Sequence, residues 1–329
     1  MLIMDILIEL LMIVGGVAVV LWGADKLTLG SVALASRMGV PQMVIGLTVV
    51  ALGTSMPEFC VSFVSALKGT ADMAVGNVVG SNIFNAMLIV GAAAMVAPMS
   101  VMRQTVRKDL VFAVAASMIM GALVFDQSIS RADAAVLSAL FFVYMWITLK
   151  GAKGATSADT PATGADGTEN DDTTATGQKF QMWKAAMWIT VGLACLIAGS
   201  NVFVSGATSV ALALNVPEAV VGLTIVAGGT SMPELATSVV AARKGNSGIA
   251  IGNVIGSNVF NILFVVGLTC VVCPMTVSGI TYIDLAVMTG SMVLLWFFAY
   301  TKLTIARWEG AVLTGLFLGY MGWLIAGGW

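Results

Sequence analysis

Gly53-Thr54-Ser55-Met56-Pro57-Glu58 lies inside a long hydrophobic run, and the same hexapeptide recurs as Gly229-Thr230-Ser231-Met232-Pro233-Glu234. Each copy carries a helix-breaking proline and a carboxylate. Hydrophobic residues make up 59% of the 329-residue chain and charged residues only 10%, against about 25% charged in an ordinary soluble domain. With a mean hydropathy of +0.99, the chain reads as a polytopic membrane protein. An ionised residue at the bilayer centre costs roughly 2.5–3.5 kcal/mol on insertion scales, so two repeated glutamates there mark a site.

Apolar stretches long enough to span a bilayer, about 20 residues each, fall at 6–36, 42–67, 73–97, 109–125, 132–149, 183–214, 218–242, 248–273, 282–300 and 308–327. The expected fold is therefore an all-α integral membrane protein of about ten transmembrane helices. No cleavable signal peptide is expected, because the N-terminus begins acidic (Asp5, Glu9) and runs into a span too long for such a segment. With ten spans, Arg37, Arg103, Arg107, Lys108, Lys150, Lys153, Lys179, Lys184, Arg243, Lys244, Lys302 and Arg307 share one side, and Lys68 and Arg131 the other. The positive-inside rule makes the rich side cytoplasmic. The expected setting is the plasma membrane, with both termini outside and the central linker in the cytosol.

That linker, about Gly151 to Lys179, is rich in Thr, Ala, Gly and Asp and reads as a disordered tether. It divides the chain into residues 1–150, a linker at 151–180, and residues 181–329, with five spans expected in each half. The halves are copies. Glu58 and Glu234, Asn85 and Asn261, and Pro41 and Pro217 are each 176 positions apart, and about 28 of 48 positions are identical between Val44–Gly91 and Val220–Gly267. An odd number of spans per half makes the second copy enter the membrane from the opposite side. Such inverted repeats, with helices broken at the midplane, are an architecture of secondary transporters.

Each repeated block interrupts a helix twice. In Val44–Leu67 and Val220–Ala242, Pro57 and Pro233 lack an N–H and clash with the preceding turn. The break should free carbonyls, at Ala51 and Thr54 and at Ala227 and Thr230. Irregular backbone at this depth must line a cavity or lie within protein, and carbonyls beside Glu58 and Glu234 are ligands for a hard cation. The second part runs from Gly76-Asn77 to Asn85, matched by Gly252-Asn253 to Asn261. Ser81 and Asn85, and Ser257 and Asn261, are four apart, so each pair shares a helical face; interhelical hydrogen bonding is the rival role for them. The glycines read more simply as helix-packing positions.

Two carboxylates and two carbonyls supply about six oxygens, which suits Ca2+ better than the small octahedron of Mg2+. Without a cation the two carboxylates would repel, so the site should also accept a proton or other cations. That competition is the physical basis of exchange.

Other chemistries fit poorly, and no enzymatic activity is expected. The chain has no histidine, which removes the usual base for a hydrolase built on Ser55 or Ser231. A Ser-Lys variant would have only Lys26 at depth, and an intramembrane aspartyl protease needs paired aspartates. Cys60, Cys195, Cys270 and Cys273 lie in or near spans without a zinc-site companion and read as small buried hydrophobes. Asp109 and Asp284 begin spans in equivalent places and suit helix N-termini.

The doubled block resembles the two alpha-repeats of the cation/calcium antiporter superfamily, and the pairing of Gly-Thr-Ser-x-Pro-Glu with Gly-Asn-Val-x-Gly-Ser-Asn resembles its sodium/calcium exchangers of prokaryotic type. The resemblance is strongest over residues 41–92 and 217–268. It implies that Glu58 and Glu234, with the carbonyls of Thr54 and Thr230, bind Ca2+. It further implies Na+ sites from Ala51, Ser55, Ser81 and Glu58, and from Ala227, Ser231, Ser257 and Glu234, with Asn85 and Asn261 lining the middle. The long first and sixth spans resemble the family's sliding gate pair, and their Asp25 and Asn201 read as headgroup-side or packing groups. Calcium/proton exchangers of the superfamily typically carry an acid where this chain has Gly80 and Gly256, which argues for Na+ as counter-ion. Many sodium/calcium exchangers have an aspartate in place of Asn261, so stoichiometry or sodium affinity should depart from the usual pattern. The implied function is Ca2+/Na+ antiport by alternating access, with a Ca2+/H+ antiporter or a passive cation channel as alternatives. The expected partners are the bilayer and the ions Ca2+ and Na+ (H+ in the alternative), with no cofactor, nucleic acid or obligatory protein partner.

Overall fold

The structure is a computed structural model that describes residues 2–154, 175–213, 227–277 and 279–326. The chain is mostly helical. The first half comprises α1 (Leu2–Met38), α2 (Gln42–Ile45), a π-helical turn at Gly46–Val50, α3 (Ala51–Thr54), α4 (Met56–Leu67), α5 (Ala71–Ile83), a second π turn at Phe84–Ile89, α6 (Val90–Val96), α7 (Arg103–Arg107), α8 (Asp109–Leu123) and α9 (Arg131–Gly154). The second half comprises α10 (Ala175–Ala213), α11 (Ala227–Thr230), α12 (Met232–Arg243), α13 (Ser247–Val259), a π turn at Phe260–Val266, α14 (Gly267–Val272), α15 (Tyr282–Lys302) and α16 (Arg307–Ile325).

Among the described residues seven helices are long and apolar enough to cross a bilayer, or eight when Gln42–Thr54 and Met56–Leu67 count as one span bent by 45°. Of the other two expected spans, 218–242 lies partly outside the described residues. The stretch 308–327 forms α16, where Glu309 in the first turn lowers the hydropathy. Both ends of the expected linker are helical instead, because α9 runs on to Gly154 and α10 begins at Ala175. Extending a formed helix costs no new nucleus. Residues 155–174 of the linker, and Pro217, lie outside the described residues.

The 176-residue offset holds in the backbone both inside the two motifs and beyond them. Gly69 and Gly245 have φ of 78° and 77°, and Gln127 and Leu303 have φ of 59° and 52°. Asp133 and Glu309 each accept from the backbone N–H three residues before them, at 2.8 and 2.7 Å. Two-residue strands β1 (Met99–Ser100), β2 (Ser128–Ile129), β3 (Met275–Thr276) and β4 (Thr304–Ile305) pair antiparallel as β1–β4 and β2–β3. The offset maps β1 onto β3 and β2 onto β4, so each ladder joins the two halves and is a copy of the other. Val101 N–H donates to the Leu303 carbonyl and Val277 N–H to that of Gln127, both at 2.8 Å. The ladders lie at opposite ends of α8, because β1 precedes it and β2 follows it.

The spans Ala71–Val96 and Ser247–Val272 are 72% and 83% buried, against 22–39% for the other single spans, so the two motif helices form the centre. Along one side α1 and α10 pack antiparallel on glycines spaced by seven, Gly16, Gly23 and Gly30 against Gly192, Gly199 and Gly206. A Cβ at Gly23 would meet the Gly192 carbonyl oxygen at 2.9 Å, and one at Gly192 the Leu27 nitrogen at 2.6 Å. Small residues thus let the two backbones touch, the usual device for close helix contact in lipid. Near one end of α12, Lys244 Nζ pairs with Asp25 of α1 at 2.5 Å. Lys26 lies over the rings of Trp22 and Trp188 at 5.5 and 5.0 Å from their centroids. Cys270 is buried, as expected, but Cys60 is exposed on the outer face of α4, where a thiol is apolar enough to sit.

Candidate cation site

Both proline breaks fall where expected. Helix α3 ends at Thr54, Ser55 turns with φ −84° and ψ 6°, and α4 begins with Pro57 in its first turn, where a missing N–H is harmless. Ser231, with φ −88° and ψ 7°, does the same before α12. One expectation needs correcting. The Ala51 carbonyl is not freed, because Ser55 N–H still closes the last α turn onto it at 3.0 Å. The α ladder stops at the Ser55 turn directly after Thr54, so the Thr54 carbonyl lies at the break. Ala227 opens α11, and its side chain lies outside the described residues.

The breaks bring the repeated acids together. Ser55 Oγ donates to Glu234 Oε1, and Ser231 Oγ donates to Glu58 Oε1, both at 2.9 Å. Each half therefore supplies the hydroxyl that holds the other half's glutamate, as a two-fold relation between the halves requires. Ser231 Oγ also reaches Ser81 Oγ at 3.3 Å. Thr230 stands beside Glu58, and Thr54 and Ser257 stand beside Glu234. Glu58, Glu234, Ser55, Ser231, Thr54, Ser257, Asn85 and Asn261 are all fully buried, with Ala51 at 1% and Ser81 at 3% exposure, and Thr230 is half-buried. Asn85 and Asn261 sit in the π turns at Phe84–Ile89 and Phe260–Val266, whose wider coil commonly marks functional positions.

Several of these groups lack partners. Glu58 Oε2, Glu234 Oε2, Ser257 Oγ and both amide atoms of Asn85 and Asn261 are buried without a hydrogen bond. Buried polar groups in native proteins are nearly always paired, so oxygens left over around two carboxylates form the donor set of a hard cation. Among the described residues the ion pairs of Lys26 and Lys244 go to Asp25 rather than to either glutamate. Nor does any group of three or more His, Cys, Asp or Glu side chains among them suit a resident metal. The site relies on two acids and neutral oxygens.

The supports of this centre lie outside the ligands expected from the sequence. Asn77 Nδ2 donates to the Glu58 carbonyl at 3.2 Å and to Ser62 Oγ at 2.9 Å, and Ser62 Oγ donates to the Ala74 carbonyl at 3.0 Å. Asn253 Nδ2 donates likewise to the Glu234 carbonyl at 3.3 Å and to Ser238 Oγ at 3.0 Å, with Ser238 on the Ala250 carbonyl at 3.5 Å. The signal was available, because Ser62 and Ser238 are also 176 apart. Asn82 and Asn258 are fully buried as well, and Asn258 Nδ2 reaches Met292 Sδ at 2.9 Å and the Asn82 carbonyl at 3.5 Å.

Inverted halves that each bring one buried glutamate and one helix break to a shared polar centre define a secondary cation transporter, here a cation/calcium antiporter. The chain belongs to the sodium/calcium exchanger protein family, whose model matches residues 8–150 and again 184–326. It is 34% identical over 319 residues to the putative antiporter CaxA of Alkalimonas amylolytica, covering 95% of this chain and 98% of that one. It is 31% identical to the sodium/calcium exchanger MaX1 of Methanosarcina acetivorans, covering 96% and 98%. A solved structure of the sodium-calcium exchanger NCX_Mj, soaked with Na+ and Ca2+, superposes with a TM-score of 0.81 at 28% identity, over 96% of this chain and 98% of that one.

Proposed function

We propose that this protein exchanges Ca2+ for Na+ across the plasma membrane by alternating access to one midplane site, without enzymatic chemistry or a cofactor. The N-terminus faces outward and the central linker faces the cytosol. The two units are residues 1–150 and 181–329, joined by 151–180. Ca2+ is held by the carboxylates of Glu58 and Glu234 and the carbonyls of Thr54 and Thr230. Na+ ions take the flanking positions of Ala51, Ser55 and Ser81 and of Ala227, Ser231 and Ser257, with Asn85 and Asn261 lining the middle. The observation that carries this reading is the reciprocal Ser55–Glu234 and Ser231–Glu58 pair, each glutamate keeping one unpartnered oxygen. Two carboxylates match the charge of one Ca2+, and monovalent ions compete for the same charge.

The test is Ca2+ uptake into proteoliposomes under an imposed Na+ gradient, repeated with a pH gradient in its place. Uphill uptake driven by Na+ supports the reading. Uptake driven by the pH gradient alone would replace Na+ with H+, and Ca2+ flux that never runs uphill would make the protein a channel.

A further inference from the structure

Thr54 is the last residue before the break, and the peptide that carries its carbonyl is held on the other side by Ser55 N–H on the Ala51 carbonyl at 3.0 Å. Its hydroxyl stands beside the Glu234 carboxylate and has three further acceptors within reach. These are the carbonyls of Val50 at 3.1 Å and Ala51 at 3.4 Å, and Asn253 Oδ1 at 3.0 Å. The first two are the local back-bonding that any helical threonine makes. The third crosses from one half of the molecule to the other.

Asn253 is fully buried, and its amide is committed on every side. Both Nδ2 protons are used, on the Glu234 carbonyl and Ser238 Oγ. Turning the amide over would point Oδ1 at the Glu234 carbonyl, acceptor against acceptor, so the network fixes its orientation. Oδ1 is therefore held as an acceptor for Thr54.

We propose that Asn253 is a positioning residue that ties Thr54, at the first half's helix break, to the main chain of Glu234 in the second, and so sets the spacing between the Thr54 carbonyl and the Glu234 carboxylate. The proposal rests on the reading of those two groups as cation ligands. Ca2+ needs six to eight oxygens at about 2.3–2.6 Å, so a loosened Thr54 peptide withdraws a group assigned to Ca2+ and none of the flanking groups assigned to Na+. Asn253 shapes selectivity between the two ions rather than supplying charge.

The experiment is a double-mutant cycle on the full chain in proteoliposomes, reading the half-saturating Ca2+ and Na+ concentrations separately. Partners that orient metal ligands typically contribute about 10–100-fold to affinity. Thr54→Val and Asn253→Ala should each raise half-saturating Ca2+ about tenfold while moving Na+ much less, and the double variant should be no worse than the weaker single. Thr54→Ser, which keeps the hydroxyl, should regain most of what Thr54→Val loses. Multiplicative effects in the double variant, or equal losses for Thr54→Ser and Thr54→Val, would overturn the proposal. If Asn253→Ala does not accumulate in the membrane, the Thr54→Val and Thr54→Ser comparison decides alone. Glu234→Gln separates the two levels. An inactive Glu234→Gln with a multiplicative cycle removes only the positioning role, whereas normal uptake by Glu234→Gln removes the site and the proposal with it.

Discussion

Alanine at Gly16 and alanine at Gly15 are substitutions one position apart in the same helix, and they should have opposite effects. A Cβ at Gly15 meets nothing within 4 Å, whereas one at Gly16 would lie 2.7 Å from the Phe203 nitrogen and 2.8 Å from the Gly199 carbonyl oxygen. Both changes gain the same helix propensity, about 1 kcal/mol, so the difference between them isolates the seam between α1 and α10. The atoms met at Gly16 are backbone and cannot rotate away. To reach ordinary carbon contact the two helices must separate by about 0.7 Å or more, and such overpacking costs roughly 1–3 kcal/mol. Gly16→Ala should therefore melt several degrees below Gly15→Ala in detergent. The assay is the loss of the monodisperse peak in size-exclusion chromatography after stepwise heating, with both variants purified side by side. Equal melting of the two would refute the backbone contact and the seam with it.

Glu58→Gln or Glu234→Gln should each abolish Ca2+ uptake into vesicles, and near-normal uptake by either would remove that residue from the site. Asp25→Asn or Lys244→Gln should cost little stability, under about 1 kcal/mol for a partly exposed pair. Either should also change the transport rate, and the charge swap Asp25→Lys with Lys244→Asp should restore it; a swap no better than the singles would show that the pair has no mechanical role. Thr281→Val removes the hydroxyl that accepts from Asp284 N–H at 3.2 Å in the cap of α15 and should destabilise by about 1 kcal/mol, read as a lower melting temperature with unchanged half-saturating Ca2+.

The doubled hexapeptide carried much of this structure. A proline and a glutamate at a fixed spacing, repeated at one offset, place a break and a charge at matching depths in two halves, and Glu58 and Glu234 do meet through the opposite serines. The glycine seam shows what periodicity hides. Gly16, Gly23 and Gly30 look like scattered small residues in an apolar run until the offset sets them against Gly192, Gly199 and Gly206. The strands at Met99–Ser100 and Thr304–Ile305 are too short to leave a pattern in the sequence, because two residues show no alternation. The Ala51 carbonyl stays bonded against expectation, because a missing proline N–H says which donor is lost, not which earlier donor still closes the turn. The Asn253 amide was visible in its motif, but its partner Thr54 is 199 positions away, a pairing that only the fold reveals.

The two short ladders act as clasps. One buckles the halves together at each end of α8, which opposes a parting of the two like the covers of a book. In the proposed exchange, access would change by sliding within a frame fastened at both ends. Helices α1 and α10 carry no strand of either clasp and are sealed to each other by glycine, so the proposed exchange would use them as one shuttle over the ion bed.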